Sequence, residues 1–299
     1  MQESIDTREG TVQFPAYLPV TTFGEKYPLD DLVRPYLPRL APGVMVSYHY
    51  AREMDTEERP KVPLFVDSGG YGLVKIEEAE VVERRGLGQI EVPGDENNQR
   101  VHPREVLDLQ EKIAEVAFTL DFPIPEDTTG AEAERRRDLS IANARWALRN
   151  RRRHDMPLFA SLQGWDVSSY RASAEALSDH EFEGFGIGGL ASGGGDESFV
   201  KAVVAETRAA IGERPLHVFG IGKPDRAEMA FEAGATSVDS SSYVQAAASG
   251  RMWGRGESLK DPSVTDQVHI ALCNLAAATE TPVPLSTTAA LQRRFEENP

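Results

Sequence analysis

The chain has 299 residues, 40% of them hydrophobic, a mean hydropathy of −0.40 and a net charge of −16. No apolar run approaches the roughly 20 residues of a membrane-spanning helix, and a single cysteine, Cys273, excludes a disulfide framework or a site built from several thiolates. The acidic balance argues against attraction of nucleic acid by overall charge, but 25 of the 32 basic residues are arginine, a composition expected of a salt-adapted or GC-rich host, where screening shortens the reach of surface charge.

The first ten residues, MQESIDTREG, have neither the basic start nor the apolar stretch of a signal peptide, so a cytoplasmic location is expected. Strand-like apolar runs then recur at 16–22, 44–50, 64–70, 117–123, 158–164, 185–189, 217–222 and 237–242. They are apolar on both faces and end in Gly, Pro or polar residues, as strands buried in a parallel sheet do. Helical segments fall between several of them, over 103–116, 130–153 and 196–212. Alternation of eight strands with helices predicts a single (β/α)8 TIM barrel spanning residues 1–299, with no second domain left over. The charged stretch 76–102, rich in Gly and Asn, reads as an inserted loop, and 280–299 as a closing tail on the surface.

Polar residues stand where these strands end: Asp67, Asp121, Gln163, Gly188, Gly189 and Asp239. In a barrel all such ends open on one face, which carries the active site. One aspartate after a strand is usually a helix cap; a gathering of Asp, Gln and Gly-Gly is harder to explain that way. The chemistry that fits is substitution at a sugar carbon, with one carboxylate attacking and a second moving the proton.

Several segments, in order along the chain, resemble the tRNA-guanine transglycosylase superfamily: FPAYLPVTTFG, SYHY, VDSGGYG, PREVLDLQEKI, SLQGW, GIGGLA, VFGIGKPD and VDSSSYVQAAASGR. LDFPIPED and the nucleophile segment resemble the archaeal form. The resemblance implies that Asp239 is the nucleophile of a covalent glycosyl-enzyme and Asp67 the general acid/base. Asp121 and Gln163 would read the purine edge, the Gly188 and Gly189 amides would bond its carbonyl, and Tyr71 and Phe219 would sandwich the ring. His217, inside a strand, reads as structural, and His49 as packed.

Three departures from the family matter. Its zinc site uses several cysteines and a histidine, whereas only Cys273 and His269 stand near the expected place, so no zinc and no other cofactor is expected. Tyr243, Val244 and Gln245 replace the arginines that follow the bacterial nucleophile, which leaves Arg251 and Arg255 as the nearest phosphate candidates. The C-terminal RNA-binding domains of archaeal relatives are not in the chain. Eight arginines crowd 135–153, and Arg145 and Arg149 on one helical face form either a phosphate-tracking stripe beside the mouth or a solvated basic helix end.

The resemblance therefore implies a pentosyltransferase that exchanges guanine in a nucleic acid for a free 7-deazaguanine such as 7-cyano-7-deazaguanine, with DNA slightly favoured over tRNA as the polymer. The alternatives are an archaeosine- or queuosine-type tRNA enzyme with a partner protein supplying RNA binding, a non-catalytic accessory subunit, and a barrel enzyme of small phosphorylated sugars. A homodimer is left open, and no membrane partner is expected.

Overall fold

The computed structural model describes residues 2–23, 26–52, 54, 59–74, 76, 78–92, 99–190, 196–283 and 285–297. Among the described residues thirteen strands run in chain order: β1 (Ser4–Thr7), β2 (Gly10–Gln13), β3 (Ala16–Thr21), β4 (Val44–Val46), β5 (Leu64–Val66), β6 (Glu80–Arg84), β7 (Leu87–Val92), β8 (Gln99–Val101), β9 (Val116–Phe118), β10 (Leu158–Leu162), β11 (Gly184–Ile187), β12 (Leu216–Val218) and β13 (Ser237–Ser240). Eight of them close a barrel in the order β3-β4-β5-β9-β10-β11-β12-β13, with every neighbouring pair parallel. These are the eight strands read from the apolar runs, and the architecture is a single (β/α)8 barrel.

The barrel is a packed core. Leu18, Met45, Phe65, Val116, Phe118 and Phe159 fill its interior, while a larger apolar layer lies between strands and helices. The antiparallel hairpin β1-β2, which the strand pattern does not reveal, closes the floor by adding Ile5 and Val12 to the inner cluster. Helices return the chain from mouth to floor, among them Pro103–Ile113, Gly130–Asn150, Val167–Ser178, Glu197–Ile211 and Pro224–Glu232. Pro103–Ile113 starts on a capping box in which His102 accepts from the Arg104 amide. Among the described residues no helix is long and apolar enough to cross a membrane.

The expectation of a loop over 76–102 is corrected: β6, β7 and β8 form a three-stranded antiparallel sheet. Residues 93–98, where part of that expectation falls, lie outside the described residues. Val81, Ile90 and Val101 alternate onto one face and pack with Phe122 and Leu139, the last from helix Gly130–Asn150. The charges that suggested a solvated loop sit elsewhere on the sheet, where Glu91 meets both Arg84 (2.7 Å) and Arg100 (2.9 Å). Fully buried Asn143 ties sheet to helix: it accepts from Gly88 N at 3.0 Å and donates to Gly88 O at 3.1 Å. The closing tail contains a helix, Leu285–Glu297, that buries Leu291 and Phe295.

Candidate active site at the barrel mouth

Asp67 follows the last residue of β5, and Asp239 is the third residue of β13. Both therefore lie toward the C-terminal ends of the strands. Asp67 Oδ1 accepts backbone bonds from Gly69 (2.7 Å) and Tyr48 (3.2 Å). Burial nevertheless pushes its carboxyl up to about 7; these bonds and the Ser47 hydroxyl oppose the rise, and the Asp239 charge adds to it. The Asp239 charge thus reaches Asp67 at the mouth. Asp239 is 7% exposed, and its Oδ1 is held by the Gly220 amide at 3.0 Å and by His217 Nε2 at 3.0 Å. No bond to its Oδ2 occurs among the described residues.

A second cluster stands beside this pair, on β9–β11. Asp121 lies just beyond β9, and each of its oxygens is engaged: Ser68 Oγ donates to Oδ1 and Gln163 Nε2 to Oδ2, both at 2.6 Å. Burial raises its carboxyl above the ordinary value despite these two donors. Gln163 is 2% exposed and its Oε1 has no partner among the described residues, which leaves one buried acceptor in want of an N–H. Gly188 packs against the same amide: a Cβ there would stand 2.2 Å from Gln163 Nε2, which only glycine avoids.

The amide expected to bond a bound ring from Gly188 is already spent. Gly188 N donates to Leu162 O at 3.0 Å, continuing the β10-β11 ladder, and its carbonyl accepts from Tyr170 Oη at 2.8 Å. Gly188 therefore backs the Gln163 amide at the mouth, and Gly189 follows it in the left-handed region at φ 85°. Phe219 is half-buried, edge-on to Phe118 at 4.8 Å and to His217 at 4.6 Å, whereas Tyr71 is 48% exposed.

The arginines divide. Arg251 and Arg255 are exposed beyond β13, and the Arg255 guanidinium lies 4.5 Å over the Phe295 ring. The placement of Arg145 beside the mouth is corrected. Helix Gly130–Asn150 descends from mouth to floor, so its C-terminal half is carried down the flank. There Arg145 donates to Ala176 O (2.8 Å) and His180 Nε2 (3.2 Å), which spends its guanidinium on the neighbouring helix. Arg149 is exposed, and both line an open groove of about 1200 Å³ with Arg84, Arg85, His102 and Trp146.

Cys273 is buried in helix Val264–Ala278, where burial pushes its thiol up, and His269 stands one turn earlier. Two donors do not fit a closed tetrahedral zinc site, and among the described residues no group of three or more His, Cys, Asp or Glu could hold a metal.

Sequence reasoning missed His217, Ser68 and Tyr170 as members of the site. For His217 a signal existed. It pairs in register with Ser237 on the adjacent strand, and side chains two apart on a strand share a face, so a histidine there meets Asp239. Ser68 could be read only as a turn residue, and Tyr170 only as the buried face of a helix.

Strand-end side chains gathered at the mouth of a closed parallel barrel place the molecule among the α/β-barrel proteins that carry their chemistry on that face. The chain belongs to the queuine tRNA-ribosyltransferase family, whose model matches residues 3–281. It is 28% identical over 235 residues to the queuine tRNA-ribosyltransferase of Thioalkalivibrio sulfidiphilus. The proteins of that name from Chromohalobacter salexigens and Stenotrophomonas maltophilia are each 28% identical, over 232 and 233 residues. Each match covers 72% of this chain and 61% of the relative, so the chain aligns with less than two thirds of the relatives' length.

Proposed function

We propose that the chain is a nucleic-acid guanine transglycosylase, a pentosyltransferase working by double displacement. The observation that carries this is the pair Asp67 and Asp239 at the strand ends, with the Asp67 carboxyl raised to about 7 by burial and, to a lesser degree, by the Asp239 charge. Asp239 Oδ2 attacks the ribosyl anomeric carbon as the C–N bond to guanine breaks, and Asp67 supplies the proton to the departing base. The incoming base then loses a proton to Asp67 and displaces the Asp239 ester, which restores both groups. A carboxyl near 7 serves both directions because its acid and base forms coexist at neutral pH.

Asp121, Gln163 and the Gly189 amide would face the purine edge, with Gln163 Oε1 accepting one of its N–H groups, and Tyr71 and Phe219 would stack on its faces. Stacking offsets the few kcal/mol of extruding a base from its neighbours. The names of the matched relatives weigh toward tRNA as the polymer, against the slight preference for DNA expected from the sequence. The entering base would be a 7-deazaguanine such as the 7-cyano form. Arg251, Arg255 and Arg149 are the candidate phosphate contacts, and a homodimer or a partner protein would extend the polymer-binding surface.

The test is exchange of labelled guanine into tRNA, single-stranded DNA and duplex DNA, at low and at molar salt, with the wild-type protein and Asp239→Asn. Label in tRNA alone supports the tRNA reading and label in DNA alone the DNA one. Normal exchange by Asp239→Asn rejects the nucleophile assignment. No incorporation by folded wild-type protein favours an accessory subunit.

A further inference from the structure

His217 is the one imidazole within the barrel's apolar interior layer among the described residues. It is fully buried, with Phe118 centred 5.1 Å away and Phe219 4.6 Å away. A polar ring in that position is costly unless both nitrogens are hydrogen-bonded, and both are. Nδ1 lies 2.9 Å from Ser237 Oγ, and Nε2 lies 3.0 Å from Asp239 Oδ1. A carboxylate can only accept, so Nε2 carries the hydrogen, and in the neutral ring Nδ1 then accepts from the Ser237 hydroxyl. The chain of donors runs in one direction: Ser237 Oγ–H to Nδ1, then Nε2–H to Asp239.

The second donor to Asp239 is the Gly220 amide, also at 3.0 Å and also to Oδ1, from a residue whose φ of 78° is natural only to glycine. Two donors on one oxygen make the two carboxylate oxygens unequal. Oδ1 is pinned by both donors, and Oδ2 accepts no hydrogen bond among the described residues and is left to attack. When Oδ2 bonds to the anomeric carbon, Oδ1 becomes the ester carbonyl and retains both donors. Those donors then favour departure of the carboxylate in the second displacement. The same ring packs edge-on to Phe219, so the aim of the nucleophile and the stacking surface rest on one side chain.

We propose that His217, locked as the Nε2–H tautomer by Ser237, is the positioning residue that selects Oδ2 of Asp239 as the attacking atom. This rests on the transglycosylase reading above. It assigns His217 no contact with substrate.

The experiment compares His217→Phe, His217→Gln and Ser237→Ala in labelled-guanine exchange into bulk tRNA or DNA, whichever the wild-type protein accepts. Each variant is checked for folding by its Tm. A nitrogen-15 spectrum of the wild-type histidines reads the tautomer without any substrate. We expect kcat of His217→Phe to fall about 10–100-fold, as when the partner that orients a reactive ligand is removed, with KM for guanine little changed. His217→Gln, which can return an N–H toward Oδ1, should recover most of the loss, and Ser237→Ala should lose less than His217→Phe. An equal fall in His217→Gln, unchanged kcat in folded His217→Phe, or an Nδ1–H tautomer would each overturn the proposal. Should His217→Phe fail to fold, the wild-type tautomer and folded His217→Gln decide: a fall in kcat of about 10-fold or more in His217→Gln, or an Nδ1–H ring, would overturn the proposal. Wild-type protein that exchanges no guanine would overturn the transglycosylase reading instead, and the nitrogen spectrum would then decide the tautomer by itself.

Discussion

Asp67 at the mouth and Glu115 at the floor stand at opposite ends of one adjoining strand pair. Glu115 N donates to Leu64 O, and Asp67 follows Val66, so three residues of β5, roughly 10 Å of strand, separate the two ends. Their electrostatics are opposed. Burial works against ionisation of Glu115, but Arg8 outweighs it through its guanidinium and backbone N–H, and the nearby Arg153 adds to the effect, so the carboxyl titrates below its ordinary value. Arg59 also reaches it, at 3.2 Å. Asp67 has backbone amides, a hydroxyl and another carboxylate around it, and it titrates high. The floor spends charge on holding the hairpin β1-β2 to the barrel; the mouth leaves a carboxyl in a state useful to chemistry and unfavourable to the fold.

The comparison can be broken most directly at Asp67. Asp67→Asn should cut base exchange by about 100- to 10,000-fold, the usual worth of an acid/base group, while guanine binding persists by calorimetry. At the floor, Glu115→Gln should lower folding stability by about 1–3 kcal/mol, since it removes the one buried charge that the partly exposed Arg8, Arg59 and Arg153 share, as read by denaturant unfolding at pH 7. The pH dependence of the two should have opposite signs. The Glu115 contribution is present above its unfolded pKa and disappears as pH falls through the lower, folded value. Asp67 contributes stability below its unfolded pKa, and that contribution is lost as pH rises toward about 7. Asp67→Asn should therefore melt higher than wild type at pH 8 and close to it at pH 3.5; an equal or lower Tm at pH 8 would contradict the raised carboxyl.

Smaller effects test the mouth's rim and the flank of the barrel. Tyr71→Ala should weaken guanine binding by about 1–3 kcal/mol if Tyr71 stacks on the ring, and by nothing measurable if its exposure is that of a surface turn. Arg149→Ala should lower the salt dependence of polymer binding by about one charge in the log–log slope if the flank groove carries a phosphate. An unchanged slope would make this end of helix Gly130–Asn150 a solvated surface.

What could be read without coordinates follows from periodicity. The buried strands announced themselves because residues apolar on both faces, followed by Gly, Pro or Asp, have few other homes. The helices Gly130–Asn150 and Glu197–Ile211 announced themselves by length and composition. The sheet β6-β7-β8 was hidden because its apolar alternation, Val81 against Ile90, is short and set among glutamates and arginines. The hairpin β1-β2 was hidden because its strands of four residues bury chiefly Ile5 and Val12.

By itself the sequence determined the barrel, the ends at which its polar residues cluster, and the family to which the chain belongs. Local pattern is enough for these, because burial selects residue types strand by strand. The tertiary structure alone decided which groups are spent and which remain available. Gly188 N goes to the ladder, Arg145 to a neighbouring helix, and Asp239 Oδ1 to His217 and Gly220. These assignments depend on register and on which side chains meet across elements far apart in the chain. The same aspartate type ends with a raised carboxyl or with one pinned oxygen according to its burial and the donors and charges that folding brings near it.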